Sequence, residues 1–117
     1  MAIDFRHERL RFDPTAGGRT GQTLPMRVDF TRPVVRARAA VAGFDARFTR
    51  GDRNLHQIQI DVNVERIERD AVVIVGTLAL RDASGRFDDE YHGWIDALII
   101  AEVEDRPARR RPSPPVS

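Results

Sequence analysis

The chain has 117 residues, no cysteine and a formal net charge of +1. That length holds one domain with one modest core, and the lack of thiols excludes a disulfide framework and a thiolate metal site. All 19 basic residues are arginine, and Arg106, Arg109, Arg110 and Arg111 lie in the C-terminal stretch, so residues 1–105 carry −3. A mildly acidic body is not the footprint of a nucleic-acid-binding core. Biased codon usage explains the missing lysines more economically than function does, because few sites need what distinguishes the two cations. The N-terminus lacks the basic-then-apolar layout of a signal peptide, and no apolar run reaches membrane-spanning length. The expectation is cytoplasmic synthesis without a membrane span, leaving export by a non-classical route or association with a particle open.

In chain order, Ile3 and Phe5 alternate among charges, but Leu10 and Phe12 have the opposite parity. That pattern fits a bent strand or an arm that packs on a neighbour. Asp13-Pro14 and Ala16–Gly21 form a turn-rich loop, so residues 1–23 read as an N-terminal strand or arm plus loop. From residue 24 to 105 the chain reads as one β-sandwich domain. Leu24, Met26, Val28 and Phe30 share a face. Past Arg32-Pro33, Val35, Ala37, Ala39 and Val41 point inward and Arg36 and Arg38 outward, and the small alanines suggest close sheet-to-sheet approach. Residues 44–54 and 81–93 read as two long loops. Residues 106–117 are rich in arginine and proline, cannot build a core, and read as a disordered or polyproline-like tail.

The stretch from Leu55 to Val103 organises the rest. Ile58, Ile60, Val62 and Val64 alternate with Gln57, Gln59, Asp61 and Asn63, the period of a strand with one buried face. The alternation breaks near Glu65-Arg66, which predicts a bulge, and Arg69-Asp70 turns the chain. In the next strand Val72, Ile74, Leu78 and Leu80 oppose Val73, Val75 and Ala79. In the last, Ile95, Ala97, Ile99 and Ala101 oppose Leu98 and Ile100. Both faces of these two strands are apolar, whereas the outer face of an antiparallel sandwich is normally wet. A second copy of the chain is the expected cover, with Val73, Val75, Leu98 and Ile100 at the oligomer interface. The fold class is all-β, an antiparallel β-sandwich of six to seven strands.

From Arg32-Pro33-Val34-Val35 onward the layout resembles the H-type lectins, the snail-agglutinin family. A proline-valine entry to a strand is followed by the hydrophobic-Asp pair Phe44-Asp45, then by Asn54-Leu55 opening the next strand. A hairpin follows, then a loop with Tyr91 and a final strand opening near Trp94. The likeness covers about two-thirds of the chain, and motifs of this kind recur on sandwiches of unrelated function. It implies a six-stranded antiparallel sandwich, assembly as a trimer or a multiple of one, and sugar binding, often of N-acetylgalactosamine. Where the family has an arginine after Asn-Leu this chain has His56. Where the family has a Trp-His pair before its tyrosine, this chain offers Arg86 and Phe87.

A sugar site needs an aromatic face, with carboxylates and amides for the hydroxyls. The candidate carbohydrate-binding residues are therefore Asn54, His56, Asp88, Asp89 and Tyr91, with Tyr91 stacking on the ring. Tyr91 and Trp94 read equally as packing residues at a subunit seam. The acidic loop 82–90 offers hard oxygens for calcium, but its spacing does not match an EF-hand; no cofactor and no metal ligand set is expected. His7, His56 and His92 are scattered and suggest no zinc site. There is no Gly-x-Ser-x-Gly elbow and no P-loop lysine, so an enzyme is not expected. The leading reading is a non-enzymatic, homotrimeric, carbohydrate-binding module. The alternative is a structural or assembly module, such as a fibre, tail or shell component, that binds no sugar.

Overall fold

The computed structural model describes residues 2–15, 21–48, 55–82 and 91–105. They form six strands: β1 (Ala2–Thr15), β2 (Gln22–Asp29), β3 (Val34–Phe48), β4 (Leu55–Glu68), β5 (Ala71–Asp82) and β6 (Tyr91–Val103). The strands pair antiparallel into two three-stranded sheets, β1-β6-β3 and β2-β5-β4. The two doubly apolar strands, β5 and β6, are the central ones, while β4, with its polar outer face, is an edge. This distribution follows from burial: a central strand is flanked on both sides, so side chains on its outer face also lose water to their neighbours.

The core lies between the sheets. Val72, Ile74, Leu78 and Leu80 of β5 face Ile95, Ala97, Ile99 and Ala101 of β6, as the alternation predicts. Leu10 and Phe12 of β1, with Val28, Phe30, Val34, Val62, Tyr91 and Val103, complete it. Burying each of the larger aliphatic side chains contributes about 1.5–3 kcal/mol. The parity change in residues 2–12 needs no bend: β1 keeps one register with β6 from Ala2 to Phe12. Its inward positions Asp4, Arg6 and Glu8 are charged and lie between apolar Ala2 and the Leu10–Phe12 end, and Ile3 and Phe5 lie on the outer face, 55% and 56% exposed.

Several strands run further into the expected loops: β1 passes through Asp13-Pro14 to Thr15, and β5 includes Arg81-Asp82. β3 continues through Phe44 to Phe48, paired with Ile95 down to Tyr91, and β6 begins at Tyr91 rather than Trp94. Backbone pairing with central β6 holds these polar stretches in strand conformation despite their composition. The expected bulge appears as a register shift between Val64 and Arg66. A further shift between Val34 and Arg36 changes the parity of β3, so Val35 is exposed while Ala37 and Ala39 face in, half-buried. The sheets approach each other more closely along β3 and β4 than along β1 and β2, consistent with the small alanines of β3.

One end of the molecule is tightly closed. Arg69, with a left-handed φ of 56°, makes the short β4–β5 turn, where a positive φ matches strand twist. The β2–β3 connection docks on that turn: Phe30 N–H donates to the Asp70 carbonyl and Val34 N–H to the Arg69 carbonyl, each at 2.7 Å.

Candidate functional site

The opposite end gathers the long connections. Thr15 and Phe48 both pair with Tyr91, Leu55 pairs with Asp82, and Gln22 pairs with Leu78. The strand ends flanking 16–20, 49–54 and 83–90 therefore meet at one end of the two sheets. Variable connections mounted on a rigid scaffold are where binding residues concentrate.

Tyr91 forms the floor of that end, and its role corrects the sequence reading. The side chain is 0% exposed, its hydroxyl donates to the Leu78 carbonyl at 3.1 Å, and its own carbonyl accepts from Gln22 Nε2 at 3.2 Å. Both bonds run from one sheet to the other. A ring with no accessible face cannot stack on a sugar, so Tyr91 is a packing residue that ties the sheets together. Of the other candidate contacts, Asn54, Asp88 and Asp89 lie outside the described residues. His56 sits in the irregularity between Leu55 and Gln57 where β4 loses register with β5, and its side chain also lies outside the described residues. No described cluster of three or more His, Asp or Glu side chains offers a metal site, and the acidic residues 83–90 fall outside that statement.

The four expected interface residues do not share a surface. Val73 and Val75 lie on the outer face of the β2-β5-β4 sheet; Leu98 and Ile100 lie on the outer face of the other. Val73 is only 6% exposed within a single chain, so it needs no second copy to cover it. The cover is Arg27, opposite Val73 on β2, which reaches Glu68 on β4 at 2.7 Å. β2 and β4 flank β5, so this ion pair crosses the central strand; Arg27 and Arg66 are the two cross-strand neighbours of Val73, and long basic side chains commonly cover apolar surface with their methylenes.

The outer face of the β1-β6-β3 sheet carries a polar cluster that sequence separation hid. Arg9 of β1 makes a two-pronged contact with Asp96 of β6, Nε to Oδ1 at 2.7 Å and Nη2 to Oδ2 at 3.0 Å. The same guanidinium lies 3.8 Å from the centroid of the Trp94 ring. The hydrogen bond from Arg9 holds the Asp96 carboxyl below the usual aspartate range. A depressed carboxylate favours the fold above its unfolded pKa, and that contribution is lost as pH falls through the folded value. NMR titration of the Asp96 side chain should therefore give a midpoint below an ordinary aspartate, and Arg9→Ala should move it upward. Trp94, the sole tryptophan, should report the same transition by fluorescence; an ordinary midpoint unchanged by Arg9→Ala would disprove the pairing in solution.

A second surface shows along the β3–β4 edge. Val41 and Phe44 of β3 and Ile58 and Ile67 of β4 pair with the buried Ala97, Ile95, Leu80 and Val72 respectively, so all four occupy core-facing positions. Each nevertheless remains more than a third exposed, Phe44 at 50%. The β1–β2 edge is built differently. There the core-facing positions Asp4, Arg6 and Glu8 are charged. Arg6 donates through Nε to the Asp29 carbonyl at 3.1 Å and covers the Phe30 ring at 4.7 Å. Charges seal one side of the core, and the other is left apolar.

No helix among the described residues is long and apolar enough to cross a membrane. Compared with known families, curated proteins and solved structures, the chain matches none.

Proposed function

We propose that this chain is a non-enzymatic assembly module whose copies join through the β3–β4 edge and present their long-loop ends together. The apolar side chains at that edge, Val41, Phe44, Ile58 and Ile67, carry the reading, because a stripe of core residues open to water on one side only marks an interaction surface. Contact of β3 on one copy with β4 on the next is heterologous, and such contacts close into rings when the rotation permits; a trimer is the expected ring. Light scattering should give three chains or a multiple of three. Phe44→Asp should abolish the trimeric ring while preserving the β-sheet circular dichroism, since Phe44 lies at the rim of the core. A monomeric parent at micromolar concentration would overturn the assembly reading.

Carbohydrate recognition is the second reading. It is favoured by the strand ends flanking 49–54 and 83–90, which meet at one end of the sheets, and by the resemblance to H-type lectins. Its contacts are Asn54, His56, Asp88 and Asp89, without Tyr91, and a ring of weak sites gains avidity by being presented together. A glycan array on the oligomer separates the two readings: binding that Asp88→Ala and Asp89→Ala both weaken supports recognition, and a blank array leaves assembly alone.

A further inference from the structure

We infer that the free edge of β1 is a second self-association site, where β1 pairs antiparallel with β1 of another copy about a two-fold axis through Phe5. This edge lies on the side of the sheets opposite the β3–β4 seam, so it is a separate surface.

Several observations converge on Phe5. Its N–H donates to Asp4 Oδ1 at 2.8 Å and its carbonyl accepts from Arg6 Nη1 at 2.6 Å. The Arg6 guanidinium also bonds β2, so it lies on the side of β1 away from β6. Phe5 thus turns its backbone donor and acceptor to the free edge, where side chains of its own neighbours satisfy them. Asp4 and Arg6 are themselves paired at 3.1 Å. In an antiparallel ladder, residues facing each other as a hydrogen-bonded pair exchange both N–H···O=C bonds. Two Phe5 residues related by a two-fold axis would make that exchange with the two groups now occupied by side chains.

The sequence around Phe5 is self-complementary in this register. Asp4 of one copy stands opposite Arg6 of the other, and Arg6 opposite Asp4, so the two intrachain ion pairs, one in each copy, are exchanged for two interchain ones. Phe5 meets Phe5, and Ile3 meets His7 on the same outer face; directly opposed side chains are the unit of sheet stabilisation. Ile3 and Phe5 are the two most exposed large apolar residues described, and Ile100 lies beside Phe5, so the new contact falls where apolar surface is unsheltered. Other registers fit less well. An axis through Arg6 opposes Arg6 to itself and Asp4 to Glu8. An axis through His7 places Phe5 against Arg9, which is already engaged with Asp96 and Trp94. Inward charges normally guard an edge against pairing; here they exclude most strands and registers and admit this one.

β1 supports such pairing better than the other edge strands. It runs without a register shift from Ala2 to Phe12, whereas β3 and β4 are each interrupted twice and β2 is short and carries Pro25.

Charge exchange tests the pairing by light scattering. In the Phe44→Asp background, which isolates this edge from the β3–β4 seam, the protein should scatter as two chains. Asp4→Arg alone and Arg6→Asp alone should each reduce it to one, because each places like charges opposite one another. The double exchange Asp4→Arg, Arg6→Asp should restore two chains. Phe5→Pro removes the exchanged N–H without touching a bond to β6 and should also give one chain with unchanged circular dichroism. A Phe44→Asp protein that is monomeric before any change in β1, or singles that remain dimeric, overturns the pairing. A parent that is dimeric, with Phe44→Asp also dimeric, overturns the seam reading and leaves the β1 pairing standing.

Discussion

Gly93→Ala should destabilise the protein more than any other single-methyl addition in β6. A Cβ at position 93 would stand 2.1 Å from the Asp45 carbonyl oxygen and 2.9 Å from the Ala46 Cα. Both are backbone atoms of the paired strand β3, which cannot swing aside as a flexible side chain can. Either β3 separates from β6 around Asp45-Ala46, or β6 shifts and carries buried Tyr91 and Ile95 with it. Overpacking of a tight site typically costs about 1–3 kcal/mol, and a clash with backbone belongs at the upper end. Thermal unfolding followed by circular dichroism should show a drop of roughly 4 °C or more per kcal/mol, the scale expected for a domain near this size. Gly76→Ala is the useful contrast. Its added Cβ would meet the Leu10 Cδ2 at 2.9 Å, the far end of a side chain that can rotate, so the loss should be smaller. Equal losses would mean that β3 yields more readily than its pairing implies.

The contrast between these glycines shows what sequence conveys about this fold. Period-two alternation placed β4, β5 and β6, and even the bulge after Val64, because one buried face imposes that period regardless of partner. Alternation does not reveal how far a strand extends under pairing alone, so Phe44–Phe48 and Tyr91–Gly93 read as loop. Nor does it separate apolar surface that a flanking strand covers from surface that a second chain must cover. Val73 looked like interface because the Arg27–Glu68 bridge that crosses β5 beside it joins residues on different strands. Arg9 and Asp96, far apart in sequence, become neighbours only through the β1–β6 register.

The same limits divide the candidate site. Phe44 and Val41 became legible as an exposed edge only once β3 was known to be the outer strand of its sheet. Two shifts in its register also obscure which β3 side chains face in. Tyr91, by contrast, had a signal in the sequence. It shares parity with Ile95, Ala97, Ile99 and Ala101, the inward face of β6, whereas Trp94 shares parity with Leu98 and Ile100. Extending that alternation back three positions beyond Trp94 places the tyrosine inside.

Replacing Tyr91 should separate its packing role from any role in ligand contact. Tyr91→Ala should lower stability by about 3–5 kcal/mol, the range for deleting a buried aromatic ring. That is a large fraction of the stability of a small domain. Tyr91→Phe keeps the ring and removes only the donor to the Leu78 carbonyl, so its loss should be nearer 1 kcal/mol. A ligand residue on the surface would give the reverse profile, with little change in melting temperature and lost binding. Because the chain has a single tyrosine, its alkaline absorbance titration reports this side chain alone. Burial pushes the Tyr91 phenol above the ordinary tyrosine value. The neutral form is the one the fold retains, so this contribution is fully present below the unfolded pKa and is lost as pH rises from there through the folded value. Ionisation should therefore be delayed and should coincide with loss of the β-sheet signal. Ionisation at the ordinary value, with the fold intact, would place the ring in solvent and return it to the ligand surface.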